Sequence, residues 1–359
     1  MRGSLVLWLV ALAGCDGGHL GGRDAGADAA SAGDAASASD AASATDDGGA
    51  LDAGGLACPR LGAWRASAPW GEAASHPMPS FALGARFYVH TDGGRALQLA
   101  DVGADGTLSA WRDAGDHGGG PHGFTALALG GEAYHFRNGH IARFRFRGDG
   151  ALDGDVELLE ESVETAFGGN RYVWDVAVAL GDESAPRGIV HLGGFSFTGY
   201  AYRPHVTRSA HPIGARFERV GDFPVERPGN AAYVASGAGD GWIFAREAAG
   251  DRLFRARVAG LDVGAFEEIA PLPAGDDNGR GDLFAVGCTL FAIRGRRVFG
   301  AEVSAEGGLA PFEAQPALPE PQIDVSWGDG HQEGAAWGVA SGHVHVTGPR
   351  RVYSAPILR

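Results

Sequence analysis

The stretch LFAVGCTLFAIRGRRVFGAEV, residues 283–303, contains the pattern that decides the fold. Two short apolar runs are separated by Gly287 and Cys288, and a turn around Gly295 separates the second run from a third. Short apolar runs with period-two alternation, joined by glycine-bearing turns, predict antiparallel β-strands. Because no stretch of the chain carries a sustained helical period, the sequence predicts an all-β fold.

The same pattern recurs along the chain, and each unit ends with a small residue followed by an aromatic one. The aromatic residues are Trp64, Trp111, Phe217, Phe266 and Phe312, and Leu158 takes the place after Trp111. These residues are 46–59 positions apart, and units of that length with four strands are typical of propeller blades. The chain stops at Arg359, where another terminal strand should begin, so residues 60–65 are expected to supply it. The prediction is a six-bladed β-propeller of four-stranded blades, closed by the N-terminal strand joining the C-terminal blade.

The order of strands and glycine turns resembles kelch-type repeats and the galactose-oxidase-like propellers. The best matches are Phe87-Tyr88-Val89 with Gly93-Gly94, running on to Asp105-Gly106 and Trp111, and Ile189-Val190-His191-Leu192-Gly193-Gly194. Sialidase-type propellers are the alternative family, but their Asp box needs one residue between Asp and Gly, and here the two are adjacent. Some kelch propellers are sugar mutarotases or copper oxidases. The copper enzymes need a Cys cross-linked to a Tyr, and a Cys58–Cys288 disulfide would leave this chain without it.

The first 14 residues have the form of an export signal, with Arg2 before an apolar run that is too short to cross a bilayer. Leu12-Ala13-Gly14-Cys15 resembles the lipobox of bacterial lipoproteins, which implies a lipid on Cys15 and an attachment to the membrane. The alternative is an ordinary secretory signal with a chance cysteine. Residues 15–57 are mostly Gly, Ala, Ser and Asp, a composition that predicts a disordered tether or a filler linker. Residues 58–359 are then the propeller.

The composition excludes several classes of function. The net charge is −15 and all 29 basic residues are Arg, so a phosphate loop that ends in Lys and any catalytic Lys are excluded. The acidic balance argues against a nucleic-acid partner. Neither Gly-x-Ser-x-Gly nor His-Glu-x-x-His occurs, and no cofactor is expected. His343 and His345 lie on one face of a predicted strand, but they lack an acidic or Cys partner at metal-ligand spacing.

Cys58 and Cys288 are the two cysteines outside the lipobox. Export places them in an oxidising compartment, where a disulfide can persist. Cys58 precedes the closing strand and Cys288 lies in the first hairpin turn of the neighbouring blade, so a disulfide across the closure is predicted. Two unpaired thiols are the alternative.

Candidate ligand-binding residues lie in the loops between blades and between the second and third strands. They are His76, His122, Asn170, Arg171, Arg227, Asn230, Asn278, Arg280 and Asp324. A ring of such side chains could bind a polyhydroxylated or acidic ligand, or it could consist of ordinary solvated turns. In the longest unit, Phe195/Phe197 and Tyr200/Tyr202 alternate as core-facing strand residues do. The alternative is that these aromatic side chains are exposed and contact a sugar ring or an apolar partner.

Two functional hypotheses follow from these observations, and a purely structural scaffold with a flat, featureless mouth is a third option. The first is a lipoprotein of the cell envelope, at the periplasmic or surface face of the outer membrane, whose propeller binds a protein or glycan without catalysis. The second is a sugar-active enzyme, such as a mutarotase or lyase, that uses His and Arg side chains at the propeller mouth. Turnover of a bound sugar would distinguish the second from the first.

Overall fold

The computed structural model describes residues 57–69, 79–90, 96–116, 125–137, 140–159, 172–173, 176–196, 201–214, 217–237, 239–248, 250–275, 281–322, 336–348 and 351–359. Within these ranges the regular structure is β-strand, arranged as a six-bladed propeller of four-stranded antiparallel blades, as predicted. No helix long and apolar enough to span a membrane occurs in the described ranges.

The strands follow one another in blade order. The closing strands are β1 (Arg60–Leu61) and β2 (Arg65–Pro69). Blade one contains β3 (Ser80–Leu83), β4 (Arg86–His90), β5 (Ala96–Asp101) and β6 (Arg112–Asp116). Blade two contains β7 (Thr125–Leu129), β8 (Glu132–Arg137), β9 (His140–Phe144) and β10 (Glu157–Leu159). Residues 172–222 form β11 (Tyr172–Val173), β12 (Val176–Leu180), β13 (Gly188–Leu192), β14 (Phe195–Ser196), β15 (Ala201–Tyr202), β16 (His205–Ala210) and β17 (Glu218–Asp222). Of these, β12, β13, β16 and β17 make blade three, and β11, β14 and β15 pair in a small separate sheet.

The remaining strands make blades four to six. Blade four contains β18 (Pro228–Ala235), β19 (Asp240–Glu247), β20 (Leu253–Ala259), β21 (Asp262–Val263) and β22 (Glu267–Glu268), the last two both paired with β20. Blade five contains β23 (Leu283–Val286), β24 (Thr289–Arg294), β25 (Arg297–Glu302) and β26 (Glu313–Gln315). Blade six contains β27 (Trp337–Ala340), β28 (His343–Thr347) and β29 (Arg351–Leu358).

The apolar core lies between blades. Of the described buried side chains, Phe81 and Phe144 pack together across blades one and two, and Phe284 packs with Val344 across blades five and six. Each of the other neighbouring pairs of blades shares a cluster of the same kind. The first strands of most neighbouring blades run side by side, and the Phe284 and Trp337 rings, 5.3 Å apart, join blades five and six. The burial of apolar side chains between blades therefore stabilises the propeller.

The wheel closes in blade six, as the sequence predicts. Both closing strands pair antiparallel with β29, so that Arg60 lies opposite Leu358 and Ala66 lies opposite Tyr353. Between them, Trp64 is buried against Tyr353 and donates its indole N–H to the carbonyl of Pro316 at 2.8 Å. Since Pro316 directly follows β26, the closing segment contacts blade five as well as blade six.

The predicted Cys58–Cys288 disulfide is present, with the two Cα atoms 5.3 Å apart. It joins the residue that precedes the closing strands to the turn between β23 and β24. Next to it, the Thr289 hydroxyl donates to the carbonyl of Pro59 at 2.7 Å. The disulfide therefore links Cys58, where the chain enters the propeller, to blade five.

The aromatic residues of the repeat directly precede the outer strands, and this position corrects one prediction. Trp111, Phe217 and Phe312 stand immediately before β6, β17 and β26. In blade two the same position, immediately before β10, is held by Val156, which packs on the core between blades one and two. Leu158, assigned to this place from the sequence, instead lies inside β10 with 52% of its surface exposed.

Three acidic-Gly turns, Asp105-Gly106, Asp149-Gly150 and Glu306-Gly307, contact the blade that precedes their own. Gly106, Gly150 and Gly307 have φ values of +76°, +87° and +79°. A Cβ at these positions would overlap His343 of blade six, Arg86 of blade one and Trp242 of blade four, respectively. Glycine is therefore required at each of these turns for two reasons, the positive φ angle and the close approach of the neighbouring side chain.

Asp105 and Asp149 act as turn residues. The Oδ1 atom of Asp105 accepts the backbone N–H of Thr107, and that of Asp149 accepts the N–H of Ala151, each at 3.0 Å. For Asp105 the hydroxyl of Thr107 adds a further hydrogen bond, and these bonds hold the pKa of both carboxyls below the ordinary value.

Candidate functional site

Most of the residues proposed as a ligand-binding ring lie outside the described residues. These are His76, His122, Asn170, Arg171, Asn278, Arg280 and Asp324, and Cys15 of the lipobox also lies outside. Two members of the ring, Arg227 and Asn230, are described. Arg227 directly precedes β18, on the connection between blades three and four. Asn230 was expected in a loop, but it is the third residue of β18 and is only 3% exposed, so it is a buried strand residue.

Arg227 lies over an aromatic ring. Its guanidinium carbon is 4.9 Å from the ring centroid of Tyr202, a distance typical of a cation–π contact. The sequence predicted that Tyr202 faces the core, whereas the structure places it half-buried at the end of β15, in the small sheet beside blade three. The pair therefore forms an aromatic and cationic surface on the connecting face, and both groups are of a kind that contacts sugars and carboxylates.

Asn230 belongs to a buried group that we call the acid–amide cluster, made of Asn230, Arg246, Asp282 and Gln322. The Nδ2 atom of Asn230 donates to Oδ1 of Asp282 at 2.7 Å, and the Nε2 atom of Gln322 donates to Oδ2 of the same carboxyl. Gln322 also accepts the backbone N–H of Asp282 at 3.3 Å. Asn230 starts blade four, Asp282 directly precedes blade five, and Gln322 lies on the connection to blade six. The cluster therefore ties three successive connections together.

Burial perturbs the ionisation of this cluster. The carboxyl of Asp282 is removed from water, which raises its pKa, while the hydrogen bond from Gln322 and the charge of Arg246 lower it. Burial prevails, and the pKa of Asp282 rises to about 6. A carboxyl with such a pKa exchanges a proton near neutral pH, the range in which acid–base groups work.

Asn230 retains hydrogen-bonding capacity inside the cluster. Its Oδ1 atom is buried and has no hydrogen-bond partner among the described atoms. When Asp282 is ionised, the Asn230 amide must point its N–H group toward the carboxylate, which leaves its Oδ1 atom without a donor. The cluster can thus accept one further donor, such as a water or hydroxyl group.

A second buried arginine stabilises the same face. Arg294, at the end of β24, has a side chain only 3% exposed; it pairs with Asp251 at 2.7 Å and donates to the carbonyl of Pro273 at 3.0 Å. Asp251 lies in the loop between the second and third strands of blade four, so the ion pair joins blades four and five. Because separating the pair would leave the buried guanidinium of Arg294 without its counter-charge, while Asp251 is half exposed, this contact resists loop movement.

Neither His343 nor His345 belongs to a metal site in the described ranges. No group of three or more His, Cys, Asp and Glu side chains arranged to hold a metal ion was found among the described residues. His343 is hydrogen bonded through Nδ1 to the carbonyl of Ser341 at 2.8 Å, and His345 through Nδ1 to the Ser354 hydroxyl at 2.8 Å. Both imidazoles thus have a structural partner.

Two surface cavities lie away from the acid–amide cluster. One, of about 650 Å³, separates the outer parts of blades three and four and is lined by Arg208, Phe217 and Leu261 among others. The other, of about 350 Å³, lies between β2 and the Asp105–Gly106 turn. Neither cavity includes a residue predicted from the sequence to bind a ligand.

Asp282 should make stability depend on pH. Between the unfolded carboxyl pKa near 4 and the folded value of about 6, the folded state binds more protons, so stability falls as pH rises through this window and is constant above it. Two pKa units correspond to roughly 2–3 kcal/mol. We expect Asp282→Asn to remove this slope in urea unfolding curves measured from pH 4 to 7. An unchanged slope would show that the carboxyl is ionised throughout.

His345 should make the stability rise with pH, opposite to the effect of Asp282. Burial lowers the pKa of its imidazole to about 4, so its contribution to stability is complete above the unfolded pKa of 6.5 and is lost as pH falls toward 4. We expect the stability difference between wild type and His345→Gln to shrink as pH falls over this range. Because the two groups oppose each other, each must be measured as a difference between wild type and variant. A difference that is independent of pH would contradict the buried neutral imidazole.

No family model and no curated protein matches this chain. Solved structures with the same fold include a luciferin-regenerating enzyme, with 10% identity, 80% of this chain and 95% of the other covered, and a TM-score of 0.52. The PQQ domain of pyranose dehydrogenase from Coprinopsis cinerea has 10% identity, coverage of 83% and 97%, and a TM-score of 0.51. A carbohydrate-active enzyme of family AA12 from Trichoderma reesei has 9% identity, coverage of 83% and 96%, and a TM-score of 0.51. At these identities the likeness shows the propeller fold alone.

The sequence missed Arg246, Asp282 and Gln322. A signal for Arg246 existed, because the apolar runs Ile243-Phe244-Ala245 and Phe291-Ala292-Ile293 are each followed by Arg at the end of the second strand of successive blades. An arginine that continues a buried strand is typical of a side chain that needs an internal partner. For Gln322 we find no such signal.

Proposed function

We propose that the chain is a lipoprotein of the cell envelope whose kelch-like propeller binds a protein or glycan without catalysis. The Cys58–Cys288 disulfide carries this proposal, because structural disulfides persist in oxidising compartments outside the cytoplasm. Cys15, the third cysteine, is in the lipobox-like sequence, and lipid attachment there would place the propeller beyond a tether of residues 16–57.

Binding, rather than catalysis, is supported because the polar groups of the connecting face are hydrogen bonded to other groups of the protein. Asp282 is enclosed by Asn230 and Gln322, and Arg294 by Asp251 and Pro273. These groups hold the bases of loops in place, and rigid scaffolds commonly carry their binding residues on such loops. Arg227 over Tyr202 is the described part of the surface that a ligand would meet.

The anchor is tested by replacing the cysteine that would carry the lipid. We expect Cys15→Ser to abolish metabolic labelling with an alkyne fatty acid and to move the protein from the membrane fraction to the soluble fraction. Cys58→Ser with Cys288→Ser serves as the matched control and should keep the label. Wild-type protein without label, or label that survives in Cys15→Ser, would contradict the anchor.

Binding is tested with purified full-length protein on glycan arrays and in pull-downs from envelope extracts. We expect Arg227→Ala to lower the affinity for a ligand identified in this way about tenfold or more, because a charge-assisted hydrogen bond is lost. Arg257→Ala is the matched control, because Arg257 is an exposed arginine on β20, with 66% of its side chain accessible. Equal binding by both variants, or chemical turnover of the ligand, would contradict the proposal.

A sugar-active enzyme is the second candidate, favoured by the Asp282 carboxyl with its pKa of about 6. The names of similarly folded structures, including pyranose dehydrogenase, point in the same direction. In this case His76, His122 and Arg171 would supply further groups at the mouth. Substituting them should abolish turnover and leave the melting temperature unchanged; loss of the fold would show that they are structural.

A further inference from the structure

The chain enters the propeller at a residue with two covalent connections. Cys58 is followed by Pro59 and β1 along the backbone, and its sulfur leads directly to Cys288 in blade five. Any tension from the N-terminal segment can therefore take either of two routes at Cys58.

The backbone route leads into two short strands. β1 has two residues and β2 has five, and both are attached to β29 by strand pairing. The first pair reached is Arg60 with Leu358, at the end of the ladder. Tension applied there separates the ladder pair by pair from its end, beginning before the buried side chains of Leu61 and Trp64 are reached.

The sulfur route leads into the interior of blade five. Cys288 lies between β23 and β24, which pair over four positions, and every residue of β24 is buried. β24 also pairs with β25 over six positions, from Thr289–Glu302 to Arg294–Arg297. Tension that arrives at this turn must disrupt several buried strands at once, a far more cooperative unit than the closing strands.

We infer that the Cys58–Cys288 bond transmits tension from the N-terminal segment into blade five and keeps it away from the closing strands. This inference rests on the proposed function, because such tension arises when the chain is held at its lipid and the propeller is held by a partner. The hydrogen bond from Thr289 to Pro59 supports the same arrangement, since it holds the two sides of the bond together. The disulfide then acts as a mechanical device as well as a thermodynamic one.

Single-molecule pulling of the full chain tests the inference. One handle is attached at the N-terminus and the other through Gly237→Cys, an exposed turn residue of blade four with open space around its Cα. Each molecule is pulled first in oxidising buffer and then in reductant. After reduction we expect a new low-force step of about 4 nm, the length of roughly 12 residues from 58 to 69. In oxidising buffer this step should be absent.

The outcomes separate this inference from the proposed function. A low-force step present before reduction, or absent after it, would overturn the inference, because the closing strands would then be loaded equally in both states. Cys58→Ser with Cys288→Ser should behave in oxidising buffer as the reduced wild type does. Since the handles replace the membrane and the ligand, loss of labelling at Cys15 would refute the anchor without affecting this measurement.

Discussion

Replacing both Cys58 and Cys288 by serine is expected to lower the free energy of unfolding by about 5 kcal/mol. The bond joins residues 230 positions apart, and chain-entropy estimates for a loop of more than 100 residues reach this size. For a domain of this size the melting temperature should fall by roughly 10 °C. Thermal and denaturant unfolding of the full chain, with and without reductant, measures the effect.

A neighbouring substitution separates the covalent bond from its surroundings. Thr289→Val removes the hydroxyl that donates to Pro59 but keeps the disulfide, so we expect a loss of only about 1 kcal/mol. Reductant should destabilise wild type and Thr289→Val strongly and leave the serine pair unaffected. If the serine pair melts like wild type, strand pairing with β29 alone is sufficient to close the wheel.

The closure was predictable because it depends on local pattern. Alternating apolar residues and glycine turns define strands locally, and Gly62-Ala63-Trp64 carries the same ending as the later units, which marks residues 60–65 as a blade strand. The place of Cys288 in a hairpin turn and of Cys58 before residues 60–65 then put the two cysteines in neighbouring blades. Leu158 was misassigned because the other units end in a large aromatic residue, whereas in blade two the smaller Val156 packs on the core and Leu158 is exposed.

The acid–amide cluster was predictable only in part because its members meet across three blades. Asn230 was found as a polar residue on a connecting loop, but Asp282 looked like an ordinary turn residue before a strand. Its significance depends on burial and on Gln322, which is 40 residues further along the chain. A local pattern carries no information about such a contact, whereas the blade period carries a great deal about strand order.

Gly307→Ala is expected to destabilise the protein by about 4 kcal/mol. The backbone there has a φ of +79°, which costs an alanine about 1 kcal/mol, and the added Cβ would overlap the indole of Trp242. Overpacking of a fixed ring adds up to about 3 kcal/mol. The ring cannot move aside easily, because its N–H donates to the carbonyl of Ala305 at 3.1 Å and Arg255 lies over its face at 5.3 Å.

Gly131→Ala supplies a matched control, because Gly131 has the same φ of +79° and no atom within 4 Å of the added Cβ. It should lose only the backbone contribution of about 1 kcal/mol. In a Trp242→Ala background the additional cost of Gly307→Ala should shrink to the same value, since the space for the methyl group is then free. Urea unfolding of the four proteins gives the coupling between Gly307 and Trp242. A coupling near zero would mean that the acidic-Gly turn of blade five folds independently of Trp242 in blade four.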